Sequence, residues 1–329
     1  MSDYREKPVL FGPDSSLIGM LATPADGQAE RVGCLLMNMG ANHRIGPRRI
    51  NVKIARQMAA RGISSIRVDL AGMGDSRPAS GSKHYRAQSV LDLQAAMDFM
   101  QSELGVDRFI AIGLCSGAEN ILATAVADAR VSGLLMFDGF AFPGRRSRLE
   151  KTIRRTLADL SVATLSAKVM GRLQRFMPHR AAPAPAPAAT TTNDPDLDDF
   201  DIFQPDSREK KFAFFKQYMG QLAERKVPAL LLYSGTLHVT DRGRDQLGPL
   251  ASEPFMRGFE YRFIPGIDHS LLSLETQQVF LSVVCDWALR TMHSGSALQR
   301  ELEAPPAKPP ESAGGRVSLL RTQQNPSQV

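Results

Sequence analysis

The stretch RFIAIGLCSGAENILATAVADA, Arg108–Ala129, decides how the chain is read. An apolar run ends at Leu114, a tight turn follows, and a small-residue helix opens near Gly117. Cys115 and Ser116 sit side by side in that turn. Gly113-Leu114-Cys115-Ser116-Gly117 has the form glycine, any residue, nucleophile, any residue, glycine, which marks a strained strand-to-helix elbow. In such a bend the residues two before and two after the nucleophile approach each other closely, so both must be small. With Cys115 in the middle those residues are Gly113 and Gly117. With Ser116 in the middle they are Leu114 and Ala118, and the leucine clashes. The spacing therefore favours Cys115 as nucleophile. Ser116 then supplies a backbone N–H for a developing oxyanion. The positive end of the helix and a nearby imidazole both favour the thiolate.

Such an elbow calls for a histidine late in the chain, in the order nucleophile, acid, histidine. FIPGIDHSLLS places His269 in a loop between a strand and the last helix. The acid is expected after the preceding strand, VPALLLYS, where GTLHVTDRGRDQ offers Asp241 first and Asp245 second. Asp138, at the end of LLMFD, is the alternative, whereas Asp268 adjoins His269 in sequence and points elsewhere. Ala41, in NMGANHRIGPRR after Gly40, is the candidate for the second oxyanion N–H. His43 and Arg44 in the same loop either orient it or touch substrate. DLAGMGDS (69–76) reads as a structural loop, because its glycines do not open a nucleotide-binding unit.

Outward from the elbow, apolar runs bounded by glycine alternate with helical patterns. Strands are expected at 31–40, 63–70, 108–114, 131–139, 227–235 and 259–266. Helices are expected at 48–62, 89–104, from about 117, and at 274–292. This alternation predicts a mostly parallel sheet with helices on both faces. It stops between Gly139 and about Ala223. The segment 140–223 reads as a mostly helical cap insertion with an Ala-Pro spacer at 181–192, which cannot form a helix interior or a central strand. The core is then 1–139 and 224–294, and 295–329 reads as a polar, Pro-rich, disordered tail.

Bulk properties narrow the function classes. The chain has 329 residues, three cysteines and a net charge of +6. Cys34 and Cys285 lie in apolar runs and read as buried, inert thiols. The three are too far apart in sequence for a disulfide framework or zinc spacing, and the cysteine–histidine chemistry read above needs neither a metal nor an organic cofactor. Residues 145–180 hold ten Lys or Arg against Glu150 and Asp159, and NDPDLDDFD follows with five aspartates. That basic segment is either a solvated face or a surface that steers an acidic substrate or carrier. Aromatic residues are not interleaved with the basic ones, so a nucleic-acid platform is not indicated. No run reaches the roughly 18 apolar residues of a membrane span. The charged start MSDYREKPVLFG lacks a secretory pattern, so a cytoplasmic protein is the expectation.

Together NMGANHRIGPRR, RVDLAGMGDS, GLCSGA and GIDHS resemble the α/β-hydrolase superfamily, and more closely its serine-aminopeptidase-like group, which includes exosortase-A-system-associated hydrolases. The resemblance covers roughly 10–140 and 225–292. It implies an α/β-hydrolase fold and a scaffold for hydrolysis or acyl transfer. Cysteine stands where serine is usual at the elbow, as in dienelactone hydrolases, and no carboxylate follows the acid strand directly. The expected activity is hydrolysis of a small acyl ester or thioester by Cys115, His269 and Asp241. Acyl transfer from an acyl carrier or coenzyme A is the first alternative, and an inactive hydrolase scaffold that only binds is the second.

Overall fold

The computed structural model describes residues 3–27, 30–39, 42–81, 84–144, 149–150, 153, 207–235 and 241–303, with side chains as far as 293. The Ala-Pro spacer and everything after Glu303 lie outside the described residues.

Every residue of β3 (Val32–Met37), β4 (Ser65–Asp69) and β7 (Ala229–Ser234) is buried, as are most of β5 (Arg108–Leu114) and β6 (Val131–Phe137). Strands covered on both faces read as continuous apolar runs, which is why the sequence displays them openly. β8 (Glu260–Ile264) is only half-buried. With β1 (Tyr4–Phe11) and β2 (Leu17–Pro24), the strands form one eight-stranded sheet in the order β1-β2-β4-β3-β5-β6-β7-β8. β2 pairs antiparallel with β1 and β4, and all other pairs are parallel.

Side chains of β5 alternate between two cores. Phe109 and Ala111 join a cluster with Leu93 and Met97 of α2 (Tyr85–Leu104), Ile121 of α3 (Gly117–Ala127) and Phe215 of α4 (Arg208–Glu224). Ile110, Ile112 and Leu114 join the opposite cluster with Ile54 of α1 (Ile50–Ala59) and Phe280 and Trp287 of α5 (Leu274–Glu303). Truncating an aromatic in either cluster, such as Phe215→Ala, costs about 3–5 kcal/mol.

Three features differ from the sequence expectations. β1 (Tyr4–Phe11) and β2 (Leu17–Pro24) form an antiparallel hairpin that the pattern did not reveal. Pro8 and the charges of Arg5, Glu6 and Lys7 disguise β1, which is an edge strand where such residues are tolerated. α4 was assigned to the inserted segment, yet Phe215, Met219 and Leu222 are fully buried in the sheet's own core. α5 runs to Glu303, past the boundary drawn at 294. Among the described residues no helix is long and apolar enough to cross a membrane.

The sheet order reverses between β3 and β5, the place where open sheets of this kind bind ligands, beyond the carboxyl ends of the parallel strands. Cys115 follows β5, Asp138 follows β6, and His269 lies in the loop after β8.

Candidate active site

At the end of β5 the Cys115 N–H still donates to Phe137 O at 2.8 Å, so the residue stays in sheet register. Its backbone then turns to φ +52°, in the left-handed region that only a constrained site holds for a side chain of this kind. Ala118 N–H donates back to Cys115 O at 3.0 Å, and α3 begins with Ser116 at the N-cap position. The turn leaves no room for a side chain at either flanking glycine. A Cβ on Gly113 lies 2.7 Å from Gly117 O, and a Cβ on Gly117 lies 2.3 Å from Asn38 O. Neither contact is tolerable against backbone, so the elbow needs glycine at both positions.

His269 is set by the turn around it. Ile267 and Leu271 on either side are buried, and Ile267 O accepts from Gly235 N–H at 2.9 Å. Asp268 accepts from Leu272 N–H and shapes that turn, so it faces away from the imidazole's partners. The ring stacks on Phe137, with centroids 6.1 Å apart and planes at 19°. Its Nδ1 lies 2.9 Å from Asp138 Oδ2. Asp138 is held in turn: Ser234 N–H donates to Oδ1 at 2.8 Å, and the Ser234 hydroxyl donates to Oδ2 at 2.6 Å. The hydrogen bond to Asp138, and then the one to Cys115, push the His269 imidazole up to about 10, against the opposing cost of its burial. One histidine thus responds to both the carboxylate and the sulfur.

The acid expected from spacing is elsewhere. Asp241 accepts from Gly243 N–H at 3.0 Å, from Asp245 N–H at 2.9 Å and from the Tyr261 hydroxyl, which occupies it in building its own loop. Asp245 accepts from Arg242 N–H at 3.1 Å in that loop. The geometry brings Asp138 to the histidine, the alternative that the sequence offered at the end of LLMFD. β6 carries Asp138 directly at its end, whereas the chain after β7 first runs through 236–240, outside the described residues. Ser234 was not singled out by sequence. Its signal was a lone hydroxyl at the end of the buried run ALLLYS.

Ala41, with Gly40, lies outside the described residues. The loop just beyond is tightly fixed. Asn38 Nδ2 donates to His43 O at 2.6 Å, and Arg44 N–H donates to Asp69 Oδ1 at 2.7 Å. The Arg44 guanidinium bonds to Asp69 and, at 2.8 Å, to Asp75, while His43 Nε2 lies 3.3 Å from Asp75. Of the two roles open to His43 and Arg44, these contacts favour orienting the loop. His43, Asp69 and Asp75 come close enough together to be considered for a metal ion, but the cation among them is Arg44 itself. The other thiols also follow expectation: burial pushes Cys34 well up and Cys285 up to about 11.

Solved structures with this architecture share little sequence with the chain. A cold-adapted esterase from an Arctic intertidal metagenomic library is 15% identical, with a TM-score of 0.47 over 87% of this chain and 95% of the other. Est1E from Butyrivibrio proteoclasticus is 13% identical, with a TM-score of 0.49 over 87% of this chain and 99% of the other. Dienelactone hydrolase from Anabaena variabilis is 13% identical, with a TM-score of 0.50 over 88% of this chain and 98% of the other. No curated protein matches the sequence significantly. At 13% identity the likeness to the dienelactone hydrolase speaks for the fold alone. The alpha/beta hydrolase family model, however, matches residues 48–282, from the first helix through the elbow and His269 into the last helix. With that match across most of its length, the chain belongs to the alpha/beta hydrolase family.

Proposed function

We propose that the protein hydrolyses a small acyl ester or thioester through a covalent intermediate on Cys115. The observation that carries this reading is the single imidazole of His269, whose Nδ1 lies 2.9 Å from Asp138 Oδ2 and whose proton affinity Asp138 and Cys115 both raise. With its proton retained up to about 10, His269 is an imidazolium at neutral pH, the partner a thiolate needs. The sulfur attacks the carbonyl carbon, a C–S bond forms, and the carbonyl oxygen becomes an oxyanion. Backbone N–H groups of Ser116 and Ala41 are the proposed donors to it, each worth about 3 kcal/mol of barrier in comparable sites. Collapse breaks the bond to the leaving alcohol or thiol, which takes the proton from His269. The now neutral imidazole accepts a proton from water as that water attacks the acyl-cysteine. The C–S bond then breaks, the acid departs, and the thiolate–imidazolium pair is restored. Asp138, fixed by Ser234, keeps the ring in the orientation and tautomer that both half-reactions use.

The finer kinship with the serine-aminopeptidase-like and exosortase-associated group rests on the quoted motifs and belongs to the same proposal. The test is a panel of short and long acyl esters and thioesters, assayed with wild type, Cys115→Ala and Ser116→Ala. Hydrolysis abolished by the cysteine change and retained by the serine change supports the assignment. The reverse pattern overturns it. Release of product only when an alcohol or amine acceptor is present assigns acyl transfer instead. No turnover with any ester, together with alkylation of Cys115 no faster than that of Cys34 and Cys285, marks a binding scaffold.

A further inference from the structure

Immediately beyond the acid, the chain lines a notch that the chemistry above does not use. Gly139, Phe140, Ala141 and Phe142 form its floor, and Arg208 and Lys211 from the first turn of α4 form its wall. The cavity measures about 310 Å³, at the small end of ligand-binding cavities. It adjoins the elbow directly: a Cβ on Gly139 lies 3.0 Å from Cys115 O and 2.1 Å from Ala118 Cβ, so the floor rests against the nucleophile's own turn. The floor is rigid. Phe142 N–H donates to Gln246 O at 2.7 Å, the Tyr233 hydroxyl donates to Phe140 O at 2.6 Å, and the Phe140 and Phe142 rings pack against Phe215.

Among its described lining residues the notch carries two cations, Arg208 and Lys211, and no carboxylate. Lys211 bonds Glu119 at 2.6 Å, and Glu119 also accepts from Arg86 at 3.4 Å. Arg208 donates to Pro143 O at 3.0 Å, a neutral acceptor, and makes no ion pair among the described residues. Guanidinium donors turned to a carbonyl keep their charge and further N–H groups for an oxyanion ligand.

We propose that this notch binds an anionic group, carboxylate or phosphate, carried by the substrate whose acyl carbon is attacked at Cys115. The proposal rests on the hydrolase reading and names the substrate class for that site. A dicarboxylic acid monoester brings the charge on its acyl side, whereas a coenzyme A thioester brings it as phosphate on the leaving side.

Paired substrates separate the possibilities. 4-Nitrophenyl hydrogen adipate is compared with 4-nitrophenyl hexanoate, and hexanoyl-coenzyme A with S-hexanoyl-N-acetylcysteamine, in wild type, Arg208→Gln and Lys211→Gln. The expected result is at least about a tenfold preference in kcat/KM for the anionic member of one pair, expressed mainly in KM. That preference shrinks between about 0.05 and 0.5 M salt and falls several-fold in Arg208→Gln, while the neutral member's rate changes less than about twofold. The pair that shows the preference identifies the source of the charge. Calorimetric titration of Cys115→Ala with adipate monoamide and with free coenzyme A reads the notch without turnover. Binding of either, weakened by Arg208→Gln, upholds the notch even if no ester is hydrolysed. Hydrolysis of neutral and anionic esters at equal rates in all three proteins, with no such binding, overturns the notch and leaves the hydrolase reading intact. Absence of both turnover and binding overturns both.

Discussion

Asp138 and Asp241 follow neighbouring parallel strands at the same edge of the sheet, yet their surroundings differ in kind. Asp138 is buried, accepts two hydrogen bonds from Ser234 and directs its remaining capacity at His269. Asp241 lies in a polar loop and spends its oxygens on Gly243, Asp245 and Tyr261. The difference teaches that position along the chain nominates a carboxylate, while strand neighbours decide what it touches. β7 lies beside β6, and Ser234 at its end donates to the carboxylate that β6 delivers. The carboxylate after β7 itself is drawn to Tyr261 of β8.

The largest effect that could break this comparison is expected from Asp138→Asn. The new amide places a donor where an acceptor faces His269 and the Ser234 hydroxyl, so the imidazole is pushed towards the wrong tautomer. A loss of kcat/KM of about 10²–10³-fold on the best ester is expected, somewhat milder than for a serine hydroxyl because a thiol needs less activation. A loss below about fivefold removes Asp138 from the chemistry. Next comes Gly117→Ala, whose Cβ meets Asn38 O at 2.3 Å. It is expected to cost about 1–3 kcal/mol in a urea melt, because backbone on both sides must move.

A third outcome concerns pH. His269 is raised from 6.5 to about 10, so its ion pair stabilises the folded state fully below pH 6.5 and is lost as pH rises through about 10. The difference in midpoint between wild type and His269→Gln is therefore expected to be widest in mild acid and to close towards pH 10. Esterase rates are expected to decline over the same alkaline limb, and a rate still climbing there contradicts an imidazolium partner. Asp241→Asn should be smaller. It weakens loop hydrogen bonds worth about 1 kcal/mol each, read as a lowered melting temperature with kcat/KM within about twofold. Smallest of all is Ser116→Ala, which leaves the backbone N–H in place and is expected to keep activity within about twofold.

These contrasts also mark what the sequence could reveal. The elbow was legible because its logic is local: Gly113 and Gly117 are required by contacts within a few residues of Cys115 and with the strand end beside it. His269 was legible because the fold's chain order fixes its loop. Which carboxylate meets His269 was not, since choosing between Asp138 and Asp241 depends on which strand ends lie side by side. The hairpin of β1 and β2 stayed hidden because an edge strand tolerates Pro8 and a run of charge. Helix α4 was assigned to the insertion because Lys210, Lys211 and Lys216 mask the buried stripe of Phe215, Met219 and Leu222.

The elbow also has a consequence for oxidation. Cys34 and Cys285 are sealed in the core, where burial keeps their thiols protonated, which leaves Cys115 as the one thiol that solvent-borne reagents can address. Peroxide reaching that sulfur makes a sulfenic acid with no accessible thiol in the same chain to condense with. Recovery then depends on a small thiol from outside, and prolonged exposure carries the residue on to the irreversible sulfinic state. For the purified protein, storage under reductant and the history of the sample become determinants of measured activity.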